Sequence, residues 1–564
     1  MTTRFAAASV LRWTTAGLLA LVAAACSQGS PPAAKAPDPP ASWPSPQWPL
    51  PRDAAMEARI DGLLASMRLE EKVGQVIQGD ISTVTPEDVR RYYLGSVLNG
   101  GGSGPGGDDF APPEKWLALA DAFHAASVDK TGGRAGIPVM WGTDAMHGHS
   151  NIVGATLFPH NIGLGATHSP ELLARIAGIT AEQVRTTGMD WTFAPTVTVP
   201  QDDRWGRTYE GFSEDPELVA SYAGVFVRGL QGDPAGKDFL GGRHVISSVK
   251  HFVGDGGTAE GVDQGDAQIG ENVLRDVHAA GYPPAIEAGV QTVMVSYSSW
   301  SGVKNHGNRY LLTDVLKGRM NFDGFIVGDW NGHGQVPGCK VDDCPQAINA
   351  GLDMYMAPDS WKGLYGNLLA QARNGTVPMS RLDDAVRRIL RVKIRAGLFE
   401  QGPPSSRVLA GDFERLWSPE AREVAREAVR RSLVLLKNDG GLLPLSPGAR
   451  VLVTGDGADN IGKQSGGWTI SWQGSGLTNA NFPHGTSIWK GIRQAVEAGG
   501  GQAELSATGA FTRKPDVAIV VFGEDPYAEM LGDRKVLGLP VTQSAQLGIL
   551  KRLREQGIPV VSIL

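Results

Sequence analysis

The chain has 564 residues, more than one hydrophobic core usually supports, so at least two domains are expected. Hydrophobic residues make up 41% and charged residues 20%, as in an ordinary globular protein, and the formal net charge is −7. With no long basic run to neutralise phosphates, that balance argues against nucleic acid as a partner.

Arg4 and Arg12 precede an apolar stretch from Trp13 to Ala25 that ends in small residues and is too short to span a bilayer comfortably. LVAAACS is similar to a bacterial lipoprotein signal, in which Cys26 becomes the lipidated first residue; simple secretion is the alternative. Residues 1–26 therefore read as a leader and the Pro- and Ala-rich residues 27–51 as a flexible tether. An exported protein is expected: periplasmic, anchored to the outer membrane through Cys26, or secreted.

Residues 52–398 alternate strand-like and helix-like runs, the pattern of a parallel sheet with helices outside it. The strand candidates are SVLNG, IPVMWG, DWTFAPT, SSVKHF, TVMVSY, GFIVGD and LDMYMAP. PEKWLALADAFHAAS, SPELLARIAGITAEQVRTTG and DPELVASYAGVFVRGL carry apolar residues at helical spacing. SRLDDAVRRILRVKIRAG closes the domain, with Ser380 as its expected N-cap and Gly397 as its stop. Residues 399–447 read as a linker and a connecting helix, REVAREAVRRSLVLLKN, and residues 448–564 as a second α/β domain. The chain stops at Leu564 inside an apolar run, so this domain is expected to be incomplete.

Several strand candidates end in polar side chains: Asp144, Lys250 and His251, Tyr297, then Asp329 and Trp330. In a βα barrel such ends converge on one mouth. An isolated carboxylate after GFIVG is costly to bury without a partner or a task, which singles out Asp329. Arg207 adds a planar donor, and Trp330, Trp468 and Trp472 add indole faces suited to the C–H faces of a sugar. Such a cavity fits a polyhydroxylated substrate.

Other motifs point elsewhere. His147 and His149 are expected to make structural hydrogen bonds, since no third metal ligand lies close in sequence. GDGADN lacks the third glycine of a dinucleotide fingerprint, so no cofactor is expected. NGGGSGPGG lacks the Lys-Ser/Thr of a phosphate loop and reads as a flexible active-site or surface loop. Cys339 and Cys344 are close enough for a loop disulfide in an oxidising compartment.

GTDAMHGHSN, DDRWGRTYEGFSEDP, VKHFVGDGGT, VMVSYSSWSGVK, GFIVGDWNG, AGLDMYMAP, GGWTISWQG and VVFGEDPYAEMLGD together resemble glycoside hydrolase family 3, especially its exported exo-β-glucan glucohydrolases. The resemblance implies a (β/α)8-like TIM barrel followed by an α/β sandwich domain. It implies Asp329 as nucleophile and Glu529 as acid/base, with Glu524 the alternative. Asp144, Arg207, Lys250, His251 and Tyr297 would hold the first sugar, and Trp330 and Trp472 would clasp the next. Where close plant relatives carry a glutamate after the KHFVGDGG block, this chain has Gln264.

The implied activity is that of a retaining, exo-acting β-glucosidase on β-1,3/β-1,4-glucan ends, with no cofactor or metal; β-xylosides are second choice. Retention requires carboxyls about 5 to 5.5 Å apart, Asp329 ionised and Glu529 protonated near neutral pH. The rival reading is a binding-only lipoprotein that keeps the tryptophans but does not hydrolyse.

Overall fold

The computed structural model describes residues 42–564. The leader, Cys26 and the first part of the expected tether lie outside the described residues.

Eight parallel strands form the first sheet in chain order. They are β1 (Ile77–Asp80), β2 (Ser96–Asn99), β3 (Met140–Thr143), β4 (Trp191–Thr192), β5 (Ile246–Phe252), β6 (Thr292–Val295), β7 (Phe325–Val327) and β8 (Tyr355–Met356). β8 pairs back onto β1 through Ile77↔Tyr355, and a parallel bridge from Val327 to Met354 joins β7 to the approach of β8. The sheet thus closes into a barrel whose eight C-terminal ends share one mouth.

The helices supply the outer ring. Pro113–Ser127, Pro170–Thr186 and Pro216–Gln231 each start with a proline at the first helical position, whose missing N–H would have no partner there anyway. The closing helix Met379–Arg395 buries Leu382, Ala385, Val386, Ile389 and Leu390, a 3.6-period stripe laid on the barrel. Its N-cap position is Pro378, so Ser380 falls inside the helix and does not cap it; Gly397 takes φ 68 just past its end, as a stop requires.

The expected tether is not loose in its described part. Trp43 is 1% exposed, its Nε1 donates to Glu271 at 2.6 Å, and its carbonyl accepts from Arg319 at 2.8 Å. Trp48 meets Phe322 edge-on and lies under Arg395. Two indoles in ten residues supply enough apolar surface to outweigh the entropy of fixing a Pro-rich strap.

Beyond the barrel, Arg407 enters the interior to share Asp190 with Arg185, and the carbonyl of Leu416 accepts from Thr156 and Gln183. The connecting helix spans Pro419–Ser432 and ends earlier than its apolar sequence suggests: Leu433, Val434, Leu435 and Leu436 are extended or irregular, and exposed. The second domain holds four parallel strands, β9 (Arg450–Thr454), β10 (Gln502–Ser506), β11 (Val517–Val521) and β12 (Val560–Ile563), in the order β10-β9-β11-β12. Val451, Val453, Val517 and Ile519 face the helix Ile488–Ala498, while Leu452, Ala518 and Val520 face the helix Ser544–Glu555. Period-two alternation between two apolar faces makes an α/β sandwich.

Candidate active site

Asp329 follows β7, and its backbone N–H donates to His306 Nε2 at 3.0 Å. One carboxylate oxygen accepts from the Trp330 amide at 2.7 Å; the other lies 3.7 Å from His251 Nε2. Burial pushes this carboxyl up to about 6, against the opposing pull of Arg207, Lys250 and the Trp330 amide.

Arg207, on the segment after β4, is the hub. It is 4% exposed and forms a two-pronged pair with Glu210, Nε to Oε1 and Nη2 to Oε2, each at 2.9 Å. Its Nη1 lies 3.3 Å from Glu529 Oε1, and its Nη2 reaches His251 Nε2 at 3.1 Å. A continuous path therefore runs from Glu529 through Arg207 and His251 to Asp329. Burial pushes Glu529 up to about 8; Arg207 opposes this, while Asp329, Glu210 and Asp263 add to it.

His251 sits near the end of β5 with both ring nitrogens engaged. Nδ1 meets Asp255 Oδ2 at 2.8 Å, which fixes the proton there and leaves Nε2 to accept from Arg207. Burial, then Arg207 and Lys250, keep the ring neutral by holding its pKa well below the usual histidine range. Lys250, the residue before it, is the donor that faces Asp144. Its Nζ meets Asp144 Oδ1 at 2.8 Å and lies over the Trp468 ring. The Tyr297 hydroxyl donates to the Trp330 carbonyl, and burial together with Asp329 raises its pKa well above the ordinary phenol value.

Trp330 and Trp472 both pack on the glycine-rich loop after β2. A Cβ on Gly100 would fall 2.5 Å from the Trp330 ring, and one on Gly101 would fall 2.7 Å from Trp472 Cα. Consecutive glycines thus let the Trp330 indole of the barrel and the Trp472 backbone of the second domain approach the same stretch of chain, and the loop expected to be flexible is packed at this end. Trp330 remains 39% exposed, so an indole face is open to solvent. Trp468 is buried instead, and its Nε1 donates to Glu210 Oε1 at 3.0 Å.

Glu529 and Glu524 part company. Glu524 accepts from the Tyr527 hydroxyl at 2.9 Å, pairs with Arg534 and lies in a surface cleft with Gln473 and Leu531. Only Glu529 turns toward Arg207. His147 binds the Phe158 carbonyl at one nitrogen and Trp468 and Thr469 of the second domain at the other, while His149 meets Thr187. Both act structurally. Cys339 and Cys344 are disulfide-bonded.

The sequence reading missed Glu210, Asp255, Asp263, His306 and Asp80. Glu210 stands three residues after Arg207 and Asp255 four after His251, spacings at which one turn brings donor and acceptor together. Gln264 itself is peripheral, its Oε1 accepting from Gln335. The neighbouring Asp263 supplies the semi-buried carboxylate, accepting from Trp205 Nε1 at 2.9 Å. Asp80 ends β1 and accepts from the Gly100 amide at 2.8 Å.

The family model described as Glycosyl hydrolase family 3 N terminal domain matches residues 68–392, and the Glycosyl hydrolase family 3 C-terminal domain matches residues 433–564. Two structures of the exo-1,3/1,4-beta-glucanase from a Pseudoalteromonas species, one a point mutant, are 52% identical with TM-score 0.90. They cover 92% of this chain and 84% and 65% of those chains. Lysosomal beta glucosidase of Dictyostelium discoideum is 32% identical over 91% of this chain and 66% of its own length. Periplasmic beta-glucosidase of Salmonella typhimurium is 30% identical over 81% and 56%. The chain thus spans just under two thirds of the first of these curated relatives and little more than half of the second.

Proposed function

Because the chain belongs to glycosyl hydrolase family 3, we propose that it is a retaining, exo-acting β-glucosidase that removes glucose from the non-reducing ends of β-1,3- and β-1,4-linked glucans. One observation carries this reading: two buried carboxyls from different domains are linked through Arg207 and His251, with pKa values of about 6 and about 8. At neutral pH that division leaves Asp329 ionised and Glu529 protonated.

Asp329 attacks the anomeric carbon while Glu529 gives its proton to the departing glycosidic oxygen, forming a covalent glycosyl-enzyme and releasing the shortened chain. Glu529, now ionised, takes a proton from water, whose oxygen displaces Asp329 and yields β-glucose. Arg207 stabilises Glu529 as it ionises. Asp144, Lys250 and Asp80 offer acceptors and a donor for the hydroxyls of the first sugar. His251 acts mainly by orienting Arg207, and Tyr297 by holding the Trp330 backbone. Trp330 and Trp472 clasp the second sugar ring above the Gly100–Gly101 floor. A second-domain wall over a barrel mouth favours a chain end over a chain middle, and the exo-1,3/1,4 activity in the name of the Pseudoalteromonas protein supports the linkage choice. Export to the periplasm is supported by the leader and by a relative named periplasmic. Lipid attachment at Cys26 belongs to the same proposal.

The test is turnover of a nitrophenyl β-glucoside, with the anomer of released glucose followed by NMR. Expected are β-glucose as first product and, for Asp329→Ala, a fall in kcat on the order of 10⁴-fold or more. α-Glucose would exclude retention, and binding without release would favour the non-hydrolysing alternative.

A further inference from the structure

We infer that Asp533 is the positioning residue that holds Glu529 over the barrel mouth, an inference that rests on the assignment of Glu529 as the acid. Glu529–Gly532 is a single 3-10 turn, and Asp533 follows it directly. The Asp533 carboxylate crosses the domain seam and straddles two barrel loops. Oδ1 accepts from the Gly206 amide at 2.9 Å and Oδ2 from the Asp263 amide at 2.8 Å. Arg534 N adds a bond to the Arg204 carbonyl at 2.8 Å.

These bonds close a ring of contacts on the reacting group. Gly206 precedes Arg207, Arg207 meets Glu529, and four residues after Glu529 the chain returns to Gly206 through Asp533. The two backbones touch: a Cβ on Gly206 would lie 2.3 Å from the Glu529 carbonyl oxygen, and one on Gly532 would lie 2.8 Å from Gly206 Cα. Glu529 itself takes φ 56, a left-handed backbone that a non-glycine residue keeps only where its surroundings enforce it. Tyr209, donating to the Tyr527 carbonyl at 2.8 Å, ties down the turn's other side. With Asp533 removed, nothing from the turn's C-terminal end accepts from the Gly206 and Asp263 amides. The proton of Glu529 is then free to leave the line of the glycosidic oxygen.

A positioning role predicts dependence on the leaving group, which a general loss of fold does not. Dinitrophenolate departs without a proton, whereas the sugar alkoxide of laminaribiose needs one. For Asp533→Ala, kcat/KM on laminaribiose should fall about 10²-fold and on 2,4-dinitrophenyl β-glucoside less than about 5-fold. Asp533→Asn keeps one acceptor oxygen and should show the same asymmetry, smaller, which covers the case in which the alanine variant does not fold. Equal losses on both substrates, or no loss on either, would overturn the inference. Glu529→Gln is the parallel control: if it shows no asymmetry the acid assignment itself fails, and if it alone shows the asymmetry only the role of Asp533 fails.

Discussion

The dependence of activity on pH is tightly constrained by the charges of the site. In the proposed mechanism the competent form has Asp329 ionised and Glu529 protonated, with carboxyls at about 6 and about 8. Treated as a titrating pair, that form is about 80% populated near pH 7 and about a tenth populated near pH 5 or 9. A plot of kcat/KM for a nitrophenyl β-glucoside should therefore be a bell centred near 7. Glu529→Gln removes the upper titration but leaves Asp329 facing a neutral side chain, as it does near pH 6 in the parent protein. The acid limb should stay near 6 and the basic limb should vanish. A basic limb that survives at the same pH would refute the acid assignment. Stability supplies a second readout. Both carboxyls keep protons in the folded chain at pH values where the unfolded chain has released them. Their contribution is fully present below about pH 4 and is lost as pH rises through about 6 and about 8. At pH 7 each buried carboxyl costs the fold roughly 3 kcal/mol, so Asp329→Asn or Glu529→Gln should raise Tm by several degrees at pH 7 and much less at pH 4. No pH dependence of that difference would mean the two groups are not held in this environment.

Three further outcomes are expected. Trp43→Ala should lower unfolding stability by about 3–5 kcal/mol in denaturant titrations, whereas a truly loose tether would give no change. Gly206→Ala should lower kcat/KM about 10²-fold, because the added Cβ would have to push the Glu529 turn away; unchanged kinetics would show that the domains do not touch as described. Trp472→Ala should raise KM for laminarioligosaccharides by up to roughly 10-fold with kcat little altered, and a fall in kcat alone would remove Trp472 from substrate binding.

Much of the barrel was legible because β2 to β8 are apolar runs broken by Gly, Pro or a charge, so periodicity and punctuation agree. β1 was not, because its sequence Ile77-Gln78-Gly79-Asp80 is half polar. Gln78 is buried on the Ser96 hydroxyl and Asp80 on the Gly100 amide, contacts that no hydrophobic pattern announces. The same holds for β10, an edge strand of alternating character beside the plainly apolar β9 and β11. At the site, Asp329 stood out as a lone carboxylate after an apolar strand. Glu210 and Asp255 did not, because their importance lies in pairing with Arg207 and His251, and pairing is a property of the folded loop. The apolar run Leu433–Leu436 pointed to helix, and tertiary context overrode it. Trp43 misled in the other direction, since a Pro- and Ala-rich composition conceals two indoles that find a place on the barrel.

Under the proposed mechanism, the division of the two carboxyls between domains makes interdomain packing a catalytic variable. The barrel carries Asp329, Arg207 and the neutral His251, whereas in the proposed mechanism the proton for the leaving oxygen sits on a turn of the second domain. That turn depends on the seam in two ways. Its left-handed Glu529 carries a strain of about 1–3 kcal/mol that Asp533, Gly206 and Tyr209 must outweigh. Its raised pKa comes first from burial, and the barrel loop at Gly206 packs directly against its backbone. Separating the domains would therefore relax the backbone of Glu529 and return its carboxyl toward the ordinary range at the same time. It would then be ionised at neutral pH and useless as an acid. His147 and His160, which bind Trp468, Thr469 and Gly467 across the same seam, extend the clamp away from the mouth. Loosening any part of the seam should thus appear first as a basic limb shifted downward in pH, before any measurable loss of fold.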